Sequence, residues 1–216
     1  MTVRDGDELL DAAITNGSSE ILLAGRKGRC CRFDESDARA LGRTASGVRG
    51  INLDDDDEVV SMITYDPAAE DASAQSILVV SEHGYGKRSD FEEYRKTNRG
   101  GKGVKTLNIT EKTGELVAMK NVTDENDLMI INRSGLTIRM AVSDIRIAGR
   151  ATQGVRLINI KDGDSIAAVS AVNKSEDDAP DAVPQDVSLE AGQEGSIEAA
   201  QEGAPEAGQE GTANQE

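Results

Sequence analysis

The stretch Ile77-Leu78-Val79-Val80-Ser81-Glu82-His83-Gly84-Tyr85-Gly86-Lys87-Arg88 reads as an apolar strand, a polar turn ending in glycine, and the start of a returning strand. It has a counterpart on each side. Gly28 and Gly135 stand where Gly84 stands, and seven residues before each of the three an apolar run begins: Ile21-Leu22-Leu23, Ile77-Leu78-Val79 and Leu128-Met129-Ile130. Four residues after each glycine comes an arginine (Arg32, Arg88, Arg139), and fifteen after comes another (Arg43, Arg99, Arg150). At nineteen a second glycine opens Gly47-Val48-Arg49, Gly103-Val104-Lys105 and Gly154-Val155-Arg156, and at twenty-four stands Asn52, Asn108 or Asn159. So many matches at equal offsets define three repeats.

Repeat spacings of 56 and 51 residues suit four-stranded propeller blades rather than helical hairpins. Further strand-like runs follow each repeat: Val59-Val60-Ser61-Met62-Ile63, Leu116-Val117-Ala118-Met119 and Ile166-Ala167-Ala168-Val169. Glycine at the repeated positions is explained by positive φ in tight hairpins. Little has helical period beyond a short turn near residues 34–41. The run Asp7-Glu8-Leu9-Leu10-Asp11-Ala12-Ala13-Ile14 is expected to be the strand closing a preceding unit. The expected fold is therefore all-β, a propeller of four-stranded blades with about three blades present, over residues 1–174.

The remainder is unlike this. The chain has 216 residues and a net charge of −16, and from Ser175 onward it holds twelve acidic residues and no basic one. The octad Glu190-Ala-Gly-Gln-Glu-Gly195 returns at Glu198 and Glu206. Such a composition buries too little apolar surface to offset chain entropy, so 175–216 is expected to be a disordered acidic tail.

Within the repeats the balance reverses. Residues 28–53, 84–109 and 135–160 together carry sixteen bases against seven acids, a net +9. Equivalent positions on successive blades share one rim, so these bases would form a positive belt of the kind a bent duplex requires. The candidate phosphate contacts are Arg32, Arg43, Arg49, Lys87, Arg88, Arg99, Lys102, Lys105, Arg139, Arg150 and Arg156. The competing reading makes these side chains solvated or blade-bridging.

Several function classes are excluded or weakened. Aromatic residues are 2% of the chain, too few for base-stacking platforms that hold single strands. His83 is the only histidine, which removes His-based triads and multi-His metal sites, and it reads as a turn residue. Cys30 and Cys31 are adjacent, as two strand residues on opposite faces would be, and point to a reducing cytoplasm. The acidic run 54–58 lacks the alternating ligands and glycine of a calcium loop. Gly84-Tyr85-Gly86 lacks the third spaced glycine of a phosphate loop. No apolar run reaches the roughly 18 residues needed to span a bilayer, and no signal peptide opens the chain.

The segments Gly47-Val48-Arg49-Gly50-Ile51, Gly84-Tyr85-Gly86-Lys87-Arg88, Arg99-Gly100-Gly101-Lys102-Gly103-Val104 and Gly149-Arg150-Ala151-Thr152-Gln153-Gly154-Val155 carry a family likeness. Over roughly residues 5–174 the chain resembles the C-terminal domain of the bacterial DNA gyrase A subunit. The resemblance implies a six-bladed β-pinwheel, of which this chain holds the last three blades, wrapping duplex DNA on its basic rim without strong sequence preference. It implies support of ATP-dependent negative supercoiling in an A2B2 complex, with the gyrase B subunit, beside the rest of the gyrase A subunit, in the cytoplasm on the bacterial chromosome. In some family members the acidic tail tunes the wrapping. ATP and Mg2+ would belong to other regions or subunits, with no cofactor in this chain. The family's box Gln-Arg-Arg-Gly-Gly-Lys-Gly is matched in its last five positions by Arg99-Gly100-Gly101-Lys102-Gly103, preceded here by Thr97-Asn98, and is taken as a related repeat element. None of Tyr65, Tyr85 or Tyr94 stands in the setting of the catalytic tyrosine; Tyr85 and Tyr94 read as packing or rim residues, and strand cleavage is not expected of this chain by itself.

Two alternatives stand beside this. One is the C-terminal domain of topoisomerase IV, which shares the fold and wraps less. The other is a propeller that holds protein partners and binds no DNA. A partial pinwheel leaves blade faces uncovered, so the chain is expected to be marginally stable, to associate through its first blade, or to be a piece of a longer product.

Overall fold

The structure, a computed structural model, describes residues 2–174; the expected acidic tail lies outside the described residues. Among the described residues, eleven strands form three antiparallel sheets. In the first, β1 (Glu20–Gly25) is flanked by β2 (Arg29–Asp34) and β3 (Val59–Tyr65). In the second, β4 (Ser76–Ser81) lies between β5 (Tyr85–Ser89) and β7 (Leu116–Val122). In the third, β8 (Asn126–Asn132) lies between β9 (Thr137–Ala141) and β11 (Ile166–Asn173).

The fourth strand of a sheet comes from the next repeat. The two-residue strand β6 (Val104–Lys105) pairs with β2, setting Arg29 opposite Lys105 and Cys30 opposite Val104. One repeat on, β10 (Val155–Arg156) pairs with β5 in the equivalent register, Tyr85 opposite Arg156 and Gly86 opposite Val155. The first two sheets are thus each completed by a Gly-Val-base segment donated across the junction, and the third sheet has three strands among the described residues.

The patterning follows from this stacking. Ile77 and Val79 of β4 face a core shared with Leu22, Cys30, Ile63, Leu107 and Met119, while Leu78 and Val80 face a second core with Leu128, Ile130, Ile145 and Ile158. A strand buried on both faces reads as a continuous apolar run rather than an alternation. Cys30 and Cys31 do lie on opposite faces: Cys30 is in the first core and Cys31 joins Phe33 and Ile51. Both thiols are free and buried, and burial pushes the Cys30 thiol pKa far up.

One expectation is corrected. Residues 7–14 form no strand, and Leu9, Leu10 and Ile14 are exposed. The place beside β1 that a closing strand would take is filled by β3 of the same repeat, so residues 7–14 have no described sheet to close.

Candidate nucleic-acid interface

The eleven candidate bases divide by offset, and the hairpin geometry is the reason. In the first two repeats, the residue four after the anchor glycine points into the junction with the next repeat. Arg32 is 8% exposed; its Nε donates to Glu20 Oε2 at 2.5 Å, and its Nη1 donates to the carbonyls of Phe91 (2.6 Å) and Tyr94 (3.0 Å). Its guanidinium also lies 5.5 Å from the ring centroid of Tyr65, which stacks on Phe91. Arg88 repeats this plan at 6% exposure, donating from Nε to Ile145 O at 2.9 Å and from Nη1 to Asp124. Lys87 is fully buried and donates to Gly149 O at 2.6 Å; burial lowers its pKa to about 8, against the opposing pull of Glu93.

Arg32, Arg88 and Lys87 are therefore removed from the candidate phosphate contacts. Each is itself buried and committed to carbonyls or a carboxylate of the protein, so its cation is not presented to a phosphate. Arg139, at the same offset in the last repeat, is part-exposed and pairs with Asp127 at 2.7 Å.

The bases at offsets fifteen and twenty-one occupy the surface, where the donated segments pass. Arg49, Lys105 and Arg156 are exposed, and each donates to the asparagine three residues on: Asn52 at 3.4 Å, Asn108 at 3.2 Å and Asn159 at 3.1 Å. The recurring asparagine therefore positions the recurring base. Arg156 in addition lies over the Tyr85 ring, 5.3 Å from its centroid, and donates to the phenol oxygen at 2.7 Å, which holds the Tyr85 pKa below its ordinary value.

Offset fifteen links one repeat to the one before. Arg99 Nη1 donates to Arg49 O, and Arg150 Nη1 donates to Lys105 O at 2.9 Å. Each junction thus presents two bases from adjacent repeats side by side. Lys102 is exposed and its ammonium is 3.7 Å from Asp54, while Arg43 is exposed in a turn and makes no hydrogen bond or ion pair to another described residue. Within the acidic run, Asp56 pairs with Lys27 and Glu58 with Arg26, while Asp57 accepts from the Lys27 N–H at 3.0 Å.

The loop after β5 is shaped by close approach. Gly103, at φ +69, lies so near β2 that a Cβ would sit 2.3 Å from Cys30 O, and Gly100 N donates to Gly50 O at 2.7 Å. The result is a hollow of about 410 Å³ lined by Arg95, Thr97, Asn98, Arg99 and the backbone from Gly100 to Gly103, with Lys102 at its edge. Sequence reasoning misses Arg95, because its counterparts, Arg39 and Arg146, sit at offset eleven with no glycine or valine beside them to mark the position. A concave loop lined by three bases, Arg95, Arg99 and Lys102, can take a phosphate oxygen.

Comparison with known proteins places these features. The family described as "DNA gyrase C-terminal domain, beta-propeller" matches residues 19–66, 75–123 and 126–173. The chain is 45% identical over 174 residues to the DNA gyrase A subunit of Staphylococcus epidermidis (strain ATCC 12228), covering 81% of this chain and 19% of that protein. With the DNA gyrase A subunit of Staphylococcus aureus (strain MRSA252) it is 44% identical over 178 residues, 82% of this chain and 20% of that one. It spans about a fifth of the length of these relatives. In fold it is similar to the C-terminal domain of DNA topoisomerase IV (TM-score 0.73, 24% identity, 80% of this chain and 52% of that one). It is also similar to the DNA gyrase A C-terminal domain (TM-score 0.64, 23% identity, 71% and 50%).

Proposed function

The chain belongs to the DNA gyrase C-terminal domain, beta-propeller family, and from that membership we propose that it binds duplex DNA and bends it along its basic surface, with little sequence preference. The observation that carries this reading is the recurrence of paired surface bases at successive junctions, Arg49 with Arg99 and Lys105 with Arg150, continued by Arg156. Phosphates on a curved duplex recur along a path, and bases held at repeat intervals on stacked sheets can follow it. The side chains are held by asparagine and carbonyl contacts rather than by strong ion pairs. Those contacts leave part of each cation's charge open to an anion.

In this reading the chain is a non-catalytic part of an ATP-hydrolysing type IIA topoisomerase. It acts in the cytoplasm with a gyrase B subunit, beside the rest of a gyrase A subunit, with nucleotide and Mg2+ bound elsewhere. The 45% identity to gyrase A subunits favours gyrase over topoisomerase IV, whose likeness at 24% identity speaks to fold.

The test is duplex binding against salt concentration for the chain and for the triple variant Arg49→Gln, Lys105→Gln, Arg156→Gln. Loss of three phosphate contacts should flatten the slope of log K against log salt by about 2.7 units, alike on unrelated sequences. An unchanged slope, or loss confined to one sequence, refutes phosphate tracking by these residues.

A further inference from the structure

Lys87 is a buried cation at a place where the other junction is completed by a neutral thiol. Its residue is 0% exposed, and its Nζ donates to Gly149 O at 2.6 Å, the one hydrogen bond the ammonium makes to a described residue. In the first junction the same place belongs to Cys31, equally buried, whose Sγ lies 3.9 Å from Asn98 O. Lys87 and Cys31 each follow their anchor glycine by three residues, and Gly149 and Asn98 each follow theirs by fourteen. Burying a charge costs far more than burying a thiol, so packing alone does not call for lysine here.

What the ammonium reaches is the first residue of the turn that carries Arg150. Gly149 O accepts from Thr152 N at 3.1 Å and from Thr152 Oγ1 at 2.9 Å, closing a β-turn with Arg150 at its second position. Lys87 is a third donor to that carbonyl, and the one that comes from the neighbouring repeat. Beside it Ser89 Oγ donates to Ala148 O at 2.7 Å, and Arg88 O accepts from Ala148 N at 2.9 Å. Three successive residues of β5 thus grip the chain just before Arg150. From this seat Arg150 N donates to Glu93 Oε2 at 3.4 Å and Arg150 Nη1 to Lys105 O at 2.9 Å. A hydrogen bond from an ammonium is roughly twice as strong as a neutral one, which makes Lys87 the firmest of these holds.

We propose that Lys87 is a positioning residue for DNA binding: its ammonium fixes the turn from Gly149 to Thr152 so that Arg150 meets a phosphate beside Lys105. This rests on the duplex-binding reading above, in which Arg150 is a contact. It gives the buried Lys87 an indirect part, exerted through the Gly149 carbonyl.

The experiment measures duplex binding of the full chain against salt concentration in neutral buffer. The parent is compared with Arg150→Gln, Lys87→Met, Lys87→Cys and the double variant Lys87→Met with Arg150→Gln, each checked for fold by circular dichroism. Arg150→Gln removes one phosphate contact and should flatten the slope of log K against log salt by about 0.9 units. Lys87→Met should lose most of the same amount, and the double variant no more than Arg150→Gln alone, because Lys87 acts through Arg150. Lys87→Cys, the residue that the fold already accommodates at Cys31, should match Lys87→Met and replaces it where methionine disturbs the fold. A purely structural lysine would change stability and leave the slope of the folded variants at the parent value. That result, beside a flattened slope for Arg150→Gln, overturns the role of Lys87 and leaves the binding reading intact. Further flattening in the double variant overturns it as well, since Lys87 then acts without Arg150. An unchanged slope for Arg150→Gln itself refutes the contact on which both stand.

Discussion

Replacing Arg32 by methionine separates a junction staple from a DNA contact, because the two roles predict opposite outcomes in two assays. The guanidinium is 8% exposed and serves Glu20, Phe91 O and Tyr94 O. Methionine fills much of the volume but supplies no donor. Glu20, whose side chain is 7% exposed, is left with Lys96 at 3.1 Å as its remaining cation, and the carbonyls of Phe91 and Tyr94 lose the guanidinium, Phe91 O keeping the Tyr94 N–H at 3.0 Å. Removing one member of a buried ion pair costs about 3–5 kcal/mol. For a chain of this size each kcal/mol moves the melting midpoint by about 2–4 °C, so Arg32→Met should lower it by about 6–20 °C. Adding Glu20→Gln to the variant should recover part of that loss, since the orphaned charge is then gone. Arg49→Gln, on the surface, should change stability by no more than about 0.5 kcal/mol while reducing the salt slope of DNA binding by about one unit. Thermal and urea unfolding, with binding measured where each variant is folded, decide the matter. Arg32→Met costing under about 1 kcal/mol while flattening the salt slope as Arg49→Gln does would refute the assignment.

Two other predictions follow from the same contacts. Gly103→Ala should cost at least about 2 kcal/mol, because a Cβ meets Cys30 O at 2.3 Å from a φ of +69, whereas Gly47→Ala faces open space and carries only the backbone strain of about 1 kcal/mol; equal losses on urea unfolding would contradict the junction geometry. Lys87 has its pKa depressed from 10.5 to about 8 by burial, so between those values the unfolded chain binds more protons and stability gains as pH rises; below about 8 the buried ammonium is a steady cost. The stability of the parent chain relative to Lys87→Met should therefore improve from pH 8 towards 10.5, and a pH-independent difference would remove Lys87 from this role.

The recurrence of glycine, arginine, valine-base and asparagine at equal offsets was enough to define the repeats, the hairpins and the all-β class. Those features are local: an apolar run has a period, and a tight turn at positive φ demands glycine. Recurrence also showed that Arg32, Arg88 and Arg49 occupy repeated positions, but not which way a repeated arginine points. A base that seals a junction and a base that lines a surface recur equally well, and both raise the net charge. Tertiary structure decided between them, burying Arg32 and Arg88 against carbonyls of the following repeat and leaving Arg49, Lys105 and Arg156 outside. It alone also revealed that β6 and β10 complete the sheet of the repeat before them. A two-residue strand has no periodicity to read, and its place is set by a partner backbone 74 residues away, Cys30 for Val104, which only the folded chain brings within hydrogen-bonding distance.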